Sequence, residues 1–189
     1  MASSSIIYAV YPQQASLRGR ERRRMRGFLL TWLPVLAFSL LFAVESTSYF
    51  GREHTDAPLR RVVEFLCGKG VDAHWFLIHT LIRKTGHFMG YGLFSLVGFR
   101  GFWITFRAMA SRLLRQFSAH GLAILTTFLV ASADEFHQCF VPNRYGQFSD
   151  VLLDTAGAVA LGVALFVLMT VLAVRKANRS AGLPVHAGF

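Results

Sequence analysis

The chain has 189 residues, room for one domain of ordinary size. Twenty Lys and Arg against ten Asp and Glu leave a formal charge of +10, yet 53% of residues are hydrophobic, only 16% are charged, and the mean hydropathy is +0.43. Disorder is excluded, since it needs low hydrophobicity together with high net charge, and so basic an apolar chain points to a membrane before it points to nucleic acid. Two cysteines, Cys67 and Cys139, are too few for a disulfide framework or a structural zinc site.

Residues 1–26 read as a basic cytoplasmic N-terminal tail, Ser- and Gln-rich at first and then Arg-rich from Arg18 to Arg26. A membrane helix needs ~20 apolar residues to cross ~30 Å of hydrocarbon, and four windows meet that need. The first, Gly27 to Val44, is eighteen residues without a charge and contains Pro34. Such a proline is tolerated in membrane helices because neighbours satisfy the freed backbone. A cleavable signal peptide is the rival reading, but the apolar stretch is long for one. No small-residue cleavage pattern follows, the next residues being Glu45-Ser46-Thr47-Ser48. A retained helix is expected.

A loop of about forty residues comes next. Within it Thr55-Asp56-Ala57-Pro58 reads as a helix start, and Leu59, Val62, Val63 and Leu66 recur at helical spacing with Arg60, Arg61 and Glu64 opposite. Gly68 and Gly70 stop it. The expectation is a short amphipathic helix lying on the outer leaflet or packed over the mouth of a bundle. Asp72 then reads as the cap of a helix running through His74, Trp75 and His79 into the second window. That window, His87 to Phe106, is interrupted by Arg100, which can snorkel toward the nearer face beside Trp103. The third window, Phe117 to Ala133, is seventeen uncharged residues and borrows polar residues at its ends. The fourth, Thr155 to Val174, is uncharged throughout, and residues 176–189 form a cytoplasmic C-terminal tail. The fold expected is all-α: a polytopic membrane protein with four transmembrane helices bundled over residues 27–175.

Orientation follows from where Lys and Arg fall. The N-terminal segment, the second connection and the C-terminal segment carry twelve of them and one acid, Glu21. The first and third connections carry seven, against nine acids. Both termini are therefore expected in the cytoplasm, and the surplus charge needs no nucleic acid, because topology and anionic inner-leaflet lipid account for it.

Polar side chains at membrane depth are costly, so their placement is the best functional signal. Lys84, His87 and Tyr91 share one helical face, which continues inward through Ser95 and Gly98. Asp134, Glu135 and Gln138 end the third helix, Arg144 lies in the loop after it, and Asp150 and Asp154, four apart, open the fourth. Gly157 extends that stripe and permits close helix contact. All of these belong to the outer face. One reading is structural: the acids and cations pair and pin three helix ends together. The other is a polar pocket that holds a lipid head group, with Lys84 and Arg144 meeting phosphate or carboxylate and the acids orienting them. No metal-ligand spacing is recognised and no cofactor is expected. His74, His79 and His137 read as solvated, the two cysteines as free thiols, and Gly86-x-x-x-Gly90 and Ala156-x-x-x-Ala160-x-x-x-Ala164 as packing stripes. Phosphate loops, dinucleotide fingerprints and nucleophile elbows are absent from the sequence.

The stretches Ile82-Arg83-Lys84-Thr85-Gly86-His87-Phe88-Met89-Gly90-Tyr91 and Asp134-Glu135-Phe136-His137-Gln138, then Pro142-Asn143-Arg144 and Asp150 to Gly157, resemble the VanZ-like family over roughly residues 28–175. Where many members have an acid just before the tyrosine, this chain has Gly90. The resemblance implies a small bacterial protein of the cytoplasmic membrane, related to one associated with low-level resistance to teicoplanin-type glycopeptides. It supplies a phenotype and no reaction. Three functions are open at this point. The chain binds a cell-envelope lipid or lipid-linked precursor, or acts on such a substrate as an enzyme, with Asp134 or Glu135 as base and His87 as acid partner. As a carrier it would need more polar residues deep in the bundle than Ser95, Thr126, Thr127 and Ser132.

Overall fold

A computed structural model of the chain describes residues 12–142 and 144–180. Asn143 and the outer parts of both expected tails, 1–11 and 181–189, lie outside the described residues. The described residues are helical apart from short turns and irregular connections, with no strand. Five α-helices follow one another: α1 (Pro12–Glu45), α2 (Arg52–Cys67), α3 (Trp75–Thr105), α4 (Arg112–Gln138) and α5 (Phe148–Ser180). Short 3₁₀ turns at Ser48–Phe50 and Lys69–His74 lead into α2 and α3.

Among the described residues, three helical stretches are long and apolar enough to cross a membrane: residues 19–45 of α1, all of α4, and all of α5. The helix at the second window, α3, is as long as these, but glycines and Arg100 dilute its apolar residues. Position in the fold explains why that is tolerated. Helix α3 is central, packed against α5, α4 and α1, while α4 and α5 also pack on each other. A helix surrounded by helices gains from small residues that let backbones approach, because apolar side chains are no better off against protein than against lipid. Gly157 on α5 is such a residue: a Cβ there would come within 2.0 Å of the Phe88 carbonyl oxygen on α3. The outward surface is apolar instead, with Leu29, Leu33, Leu36 and Leu40 on α1 and Val163, Val167 and Val171 on α5 all exposed.

Contacts between helix ends fix the topology. The end of α1 meets the α4–α5 loop, where Arg144 Nη2 donates to the carbonyls of Glu45 and Thr47 at 2.8 and 3.0 Å. The start of α3 meets the start of α5 through Lys84 and Asp150. At the opposite end Arg115, in the first turn of α4, lies 3.8 Å over the Trp103 ring of α3 and donates to the Trp103 carbonyl. The four long helices therefore alternate in direction, and every residue predicted for the outer face is gathered at one end. Two apolar clusters fill the interior, one around Phe42, Tyr91, Phe94 and Val151, the other around Phe99, Ala119 and Ala123.

Several local expectations are corrected. Helix α2 starts at Arg52, with Gly51 before it, so Pro58 falls inside the helix; Gly68, at φ 82°, closes it as expected. Asp72 does not cap α3 but pairs with Arg60 of α2, and two acids hold that guanidinium more firmly protonated than usual, Asp72 first and Glu64 after it. Trp103 is partnered by Arg115, and Arg100 stands exposed. The Ala156, Ala160 and Ala164 stripe faces outward and is no packing seam, and of the glycine pair only Gly90 meets a neighbour, Phe42 of α1, while nothing lies within 4 Å of a Cβ built on Gly86. Both cysteines are free and exposed.

Candidate functional site

Spacing on α3 places Lys84, His87 and Tyr91 along one stripe that sinks into the protein. The Lys84 side chain is 48% exposed, His87 29%, and Tyr91 1%. Helix α5 presents a matching descent, from Asp150 at 33% to Asp154 at 0%. The stripes face each other. Lys84 Nζ is 3.0 Å from Asp150 Oδ1 at the rim, and His87 Nδ1 is 3.7 Å from Asp154 Oδ2 one turn deeper. The Tyr91 ring stacks on Phe42 of α1 with centroids 4.1 Å apart. Ser95 and Gly98 continue the buried face inward, as their spacing requires.

Helix α4 closes the third side with Asp134, Glu135 and Gln138, all buried. Gln138 Nε2 donates to Asp134 Oδ2 at 3.1 Å and to Glu135 Oε1 at 3.4 Å. The Gln147 backbone N–H donates to Glu135 Oε2 at 2.7 Å. That last bond depends on a close approach, for a Cβ on Gly146 would lie 2.0 Å from the Glu135 carbonyl oxygen. Glu135 and Gln138 are thus tied into the loop.

Beside them, four buried oxygens have no hydrogen-bond partner among the described residues: the Tyr91 hydroxyl, Asp134 Oδ1, and both oxygens of Asp154. Leaving such a group without a hydrogen bond costs about 1–3 kcal/mol, more when it is charged. No group of three His, Cys, Asp or Glu side chains among the described residues is placed to hold a metal ion.

The cations divide differently from the expectation. Lys84 is engaged by Asp150, and Arg144 by carbonyls at the end of α1. Arg83, half-buried beside them, has no hydrogen bond or ion pair among the described residues. It lines both a crevice of about 190 Å³ shared with Lys84, His87 and Asp150 and a larger cavity of about 560 Å³ between α1, α2 and α3. Its signal was readable, since Arg83, Gly86, His87 and Gly90 share the flank of α3 next to the chosen stripe.

His79 corrects another expectation. It is fully buried and fixes α2 on α3, its Nδ1 accepting from Arg52 Nε at 3.0 Å. An arginine always donates, so His79 is neutral there, and burial, with the Arg52 charge beside it, holds its pKa below the ordinary value. Nearby, Trp75 Nε1 donates to Asp56 Oδ1 at 2.8 Å. His137 is hydrogen-bonded to Ser46 at 2.9 Å, and His74 is exposed.

A family model described as VanZ/LLP1 matches residues 28–170, about three-quarters of the chain. The chain belongs to the VanZ/LLP1 family. No curated protein and no solved structure is significantly similar to it. The VanZ-like match contains α3, α4 and most of α5, and with them all nine predicted site residues.

Proposed function

We propose that this VanZ-like protein is a multi-pass protein of the bacterial cytoplasmic membrane, crossing it four times with both termini inside, and that its outer end binds a cell-envelope component. Helix α3 is the fourth span in this reading, packed against the other three. Helix α2 rests on the outer leaflet, in keeping with its exposed Val62, Phe65 and Leu66. The ligand is a membrane lipid or lipid-linked envelope precursor. By holding it, the protein changes access of teicoplanin-type glycopeptides to the surface.

One observation carries the binding reading: Tyr91, Asp134 and Asp154 bury oxygens that make no hydrogen bond among the described residues, at the foot of two facing polar stripes. Ion pairs that served only to pin helices would satisfy those atoms. Protein purified with envelope lipid extract is expected to retain unaltered lipid, and Asp134→Ala is expected to lose it while keeping its helix content. Loss of folded protein in that variant would favour the pinning network.

A second reading is enzymatic, favoured by His87 standing at the crevice against buried Asp154. A histidine so oriented can act as general acid or base on a phosphate-bearing envelope substrate. Chemically altered lipid after incubation would support this reading over simple binding.

A further inference from the structure

The cavity of about 560 Å³ between α1, α2 and α3 meets the polar stripe of α3 only at His87. Its walls are largely apolar, with Phe38 and Phe42 from α1 facing Leu59 and Val62 from α2. Its floor on α3 is Gly86 and Gly90, flanked by Arg83 and His87. A side chain at 86 would project into open space, since nothing lies within 4 Å of a Cβ built there. Glycine at this position therefore keeps volume free and serves no close helix contact.

The charged residues lining this cavity are Arg83 on α3, Arg144 in the α4–α5 loop and Glu45 at the end of α1. Arg52 is committed to His79, Thr80 and the Phe76 carbonyl, and Arg144 to the end of α1. Arg83 alone of these cations makes no hydrogen bond or ion pair among the described residues, and it is half-buried where the cavity meets the smaller crevice. A guanidinium removed from water gains most from an anion that takes its fork of donors, and phosphate is the geometric match.

We infer that this cavity is the apolar half of an amphiphile site. A hydrocarbon chain lies between α1 and α2 against Phe38, Phe42 and Val62, and the phosphate attached to it is held by Arg83 at the junction with the crevice. The inference rests on the binding function proposed above and assigns its ligand class, an anionic phospholipid. It moves the main anion contact from Lys84 to Arg83.

Native mass spectrometry of the full chain in a mild neutral detergent tests it, with dioleoyl phosphatidic acid, dioleoylglycerol and inorganic phosphate as probes. Wild type is expected to retain phosphatidic acid at least tenfold over dioleoylglycerol, and to retain little phosphate alone. Arg83→Gln should abolish that preference, and Arg83→Lys, which keeps the charge, should restore most of it. Gly86→Leu should cut phosphatidic acid retention at least fivefold with unchanged helix content, since leucine is the better helix former. Equal retention of dioleoylglycerol, or an unaffected Gly86→Leu, would overturn the inference. The binding reading would still stand if Asp154→Asn released the phosphatidic acid in that experiment. Retention of none of the probes by wild type would sink both.

Discussion

Asp154 on α5 is fully buried with Oδ2 3.7 Å from His87 Nδ1 on α3, and neither of its oxygens accepts a hydrogen bond among the described residues. A carboxylate at that depth is expensive without close compensation. In the binding reading proposed above, that side chain is kept there to meet the ligand. Asp154→Asn keeps the shape and removes the charge. It is expected to leave helix content unchanged and the melting temperature within a few degrees, while bound lipid falls at least tenfold, both measured on detergent-purified protein.

The α3–α5 seam makes a sharper stability prediction. Gly157→Ala puts a methyl group within 2.0 Å of the Phe88 carbonyl oxygen, which a rigid helix pair accommodates only by separating. Overpacking of this kind costs about 1–3 kcal/mol, and more is expected for Gly157→Leu. Thermal unfolding in detergent should show both, whereas Gly86→Ala, with open space around it, should be neutral or stabilising.

How much of this was legible beforehand depended on whether one helix or two were involved. The descent of Lys84, His87 and Tyr91, the Asp134–Gln138 contact and the Asp150–Asp154 stripe follow from i, i+3 and i+4 spacing, and the structure has all of them. Which cation meets which acid is a property of two helices, so the pairing of Lys84 with Asp150 and of Arg144 with the α1 carbonyls is not readable from spacing. His79 read as solvated because nothing within its own helix reveals that Arg52 comes back from α2 to cover it. The small-residue stripes failed for a related reason: spacing identifies a smooth face, and only the neighbouring helix decides whether that face is a seam. Gly157 has such a neighbour and Ala156 does not.

His79 gives a pH dependence. Its pKa is lowered in the folded protein from an unfolded value of 6.5, through burial first and the Arg52 charge second. The unfolded chain therefore binds more protons below about pH 6.5, so this contribution to stability is complete above that value and is lost as pH falls below it. Hydrogen-exchange protection over residues 52–67, corrected for the intrinsic pH dependence of amide exchange, should fall between pH 7.5 and 5.0 as α2 loosens from α3. His79→Gln, which cannot titrate, should flatten the change.

At the other end of the bundle, Arg115 over Trp103 combines a cation–π contact at 3.8 Å with donation to the Trp103 carbonyl. Arg115→Ala is expected to cost about 1–2 kcal/mol, read from the thermal midpoint. Because the site lies at the far end, lipid retention should not change.

Orientation is open to direct measurement. Cys67 and Cys139 are exposed and belong to the proposed outer end. A membrane-impermeant maleimide should label both in intact cells, and a reporter at Ser111 should read cytoplasmic while one at Gly146 reads external. The reverse pattern would invert the topology and remove the envelope from consideration.

The central claim is that the outer-end cluster is a binding site and not a set of helix pins. Lipid analysis of the protein purified from its own membrane, beside Asp154→Asn and Arg83→Gln, tests that claim most directly. The account predicts one phosphate-bearing lipid enriched with wild type and reduced at least tenfold in both variants, each still folded by circular dichroism. Equal lipid in all three proteins, or variants that lose their fold along with the lipid, would contradict it.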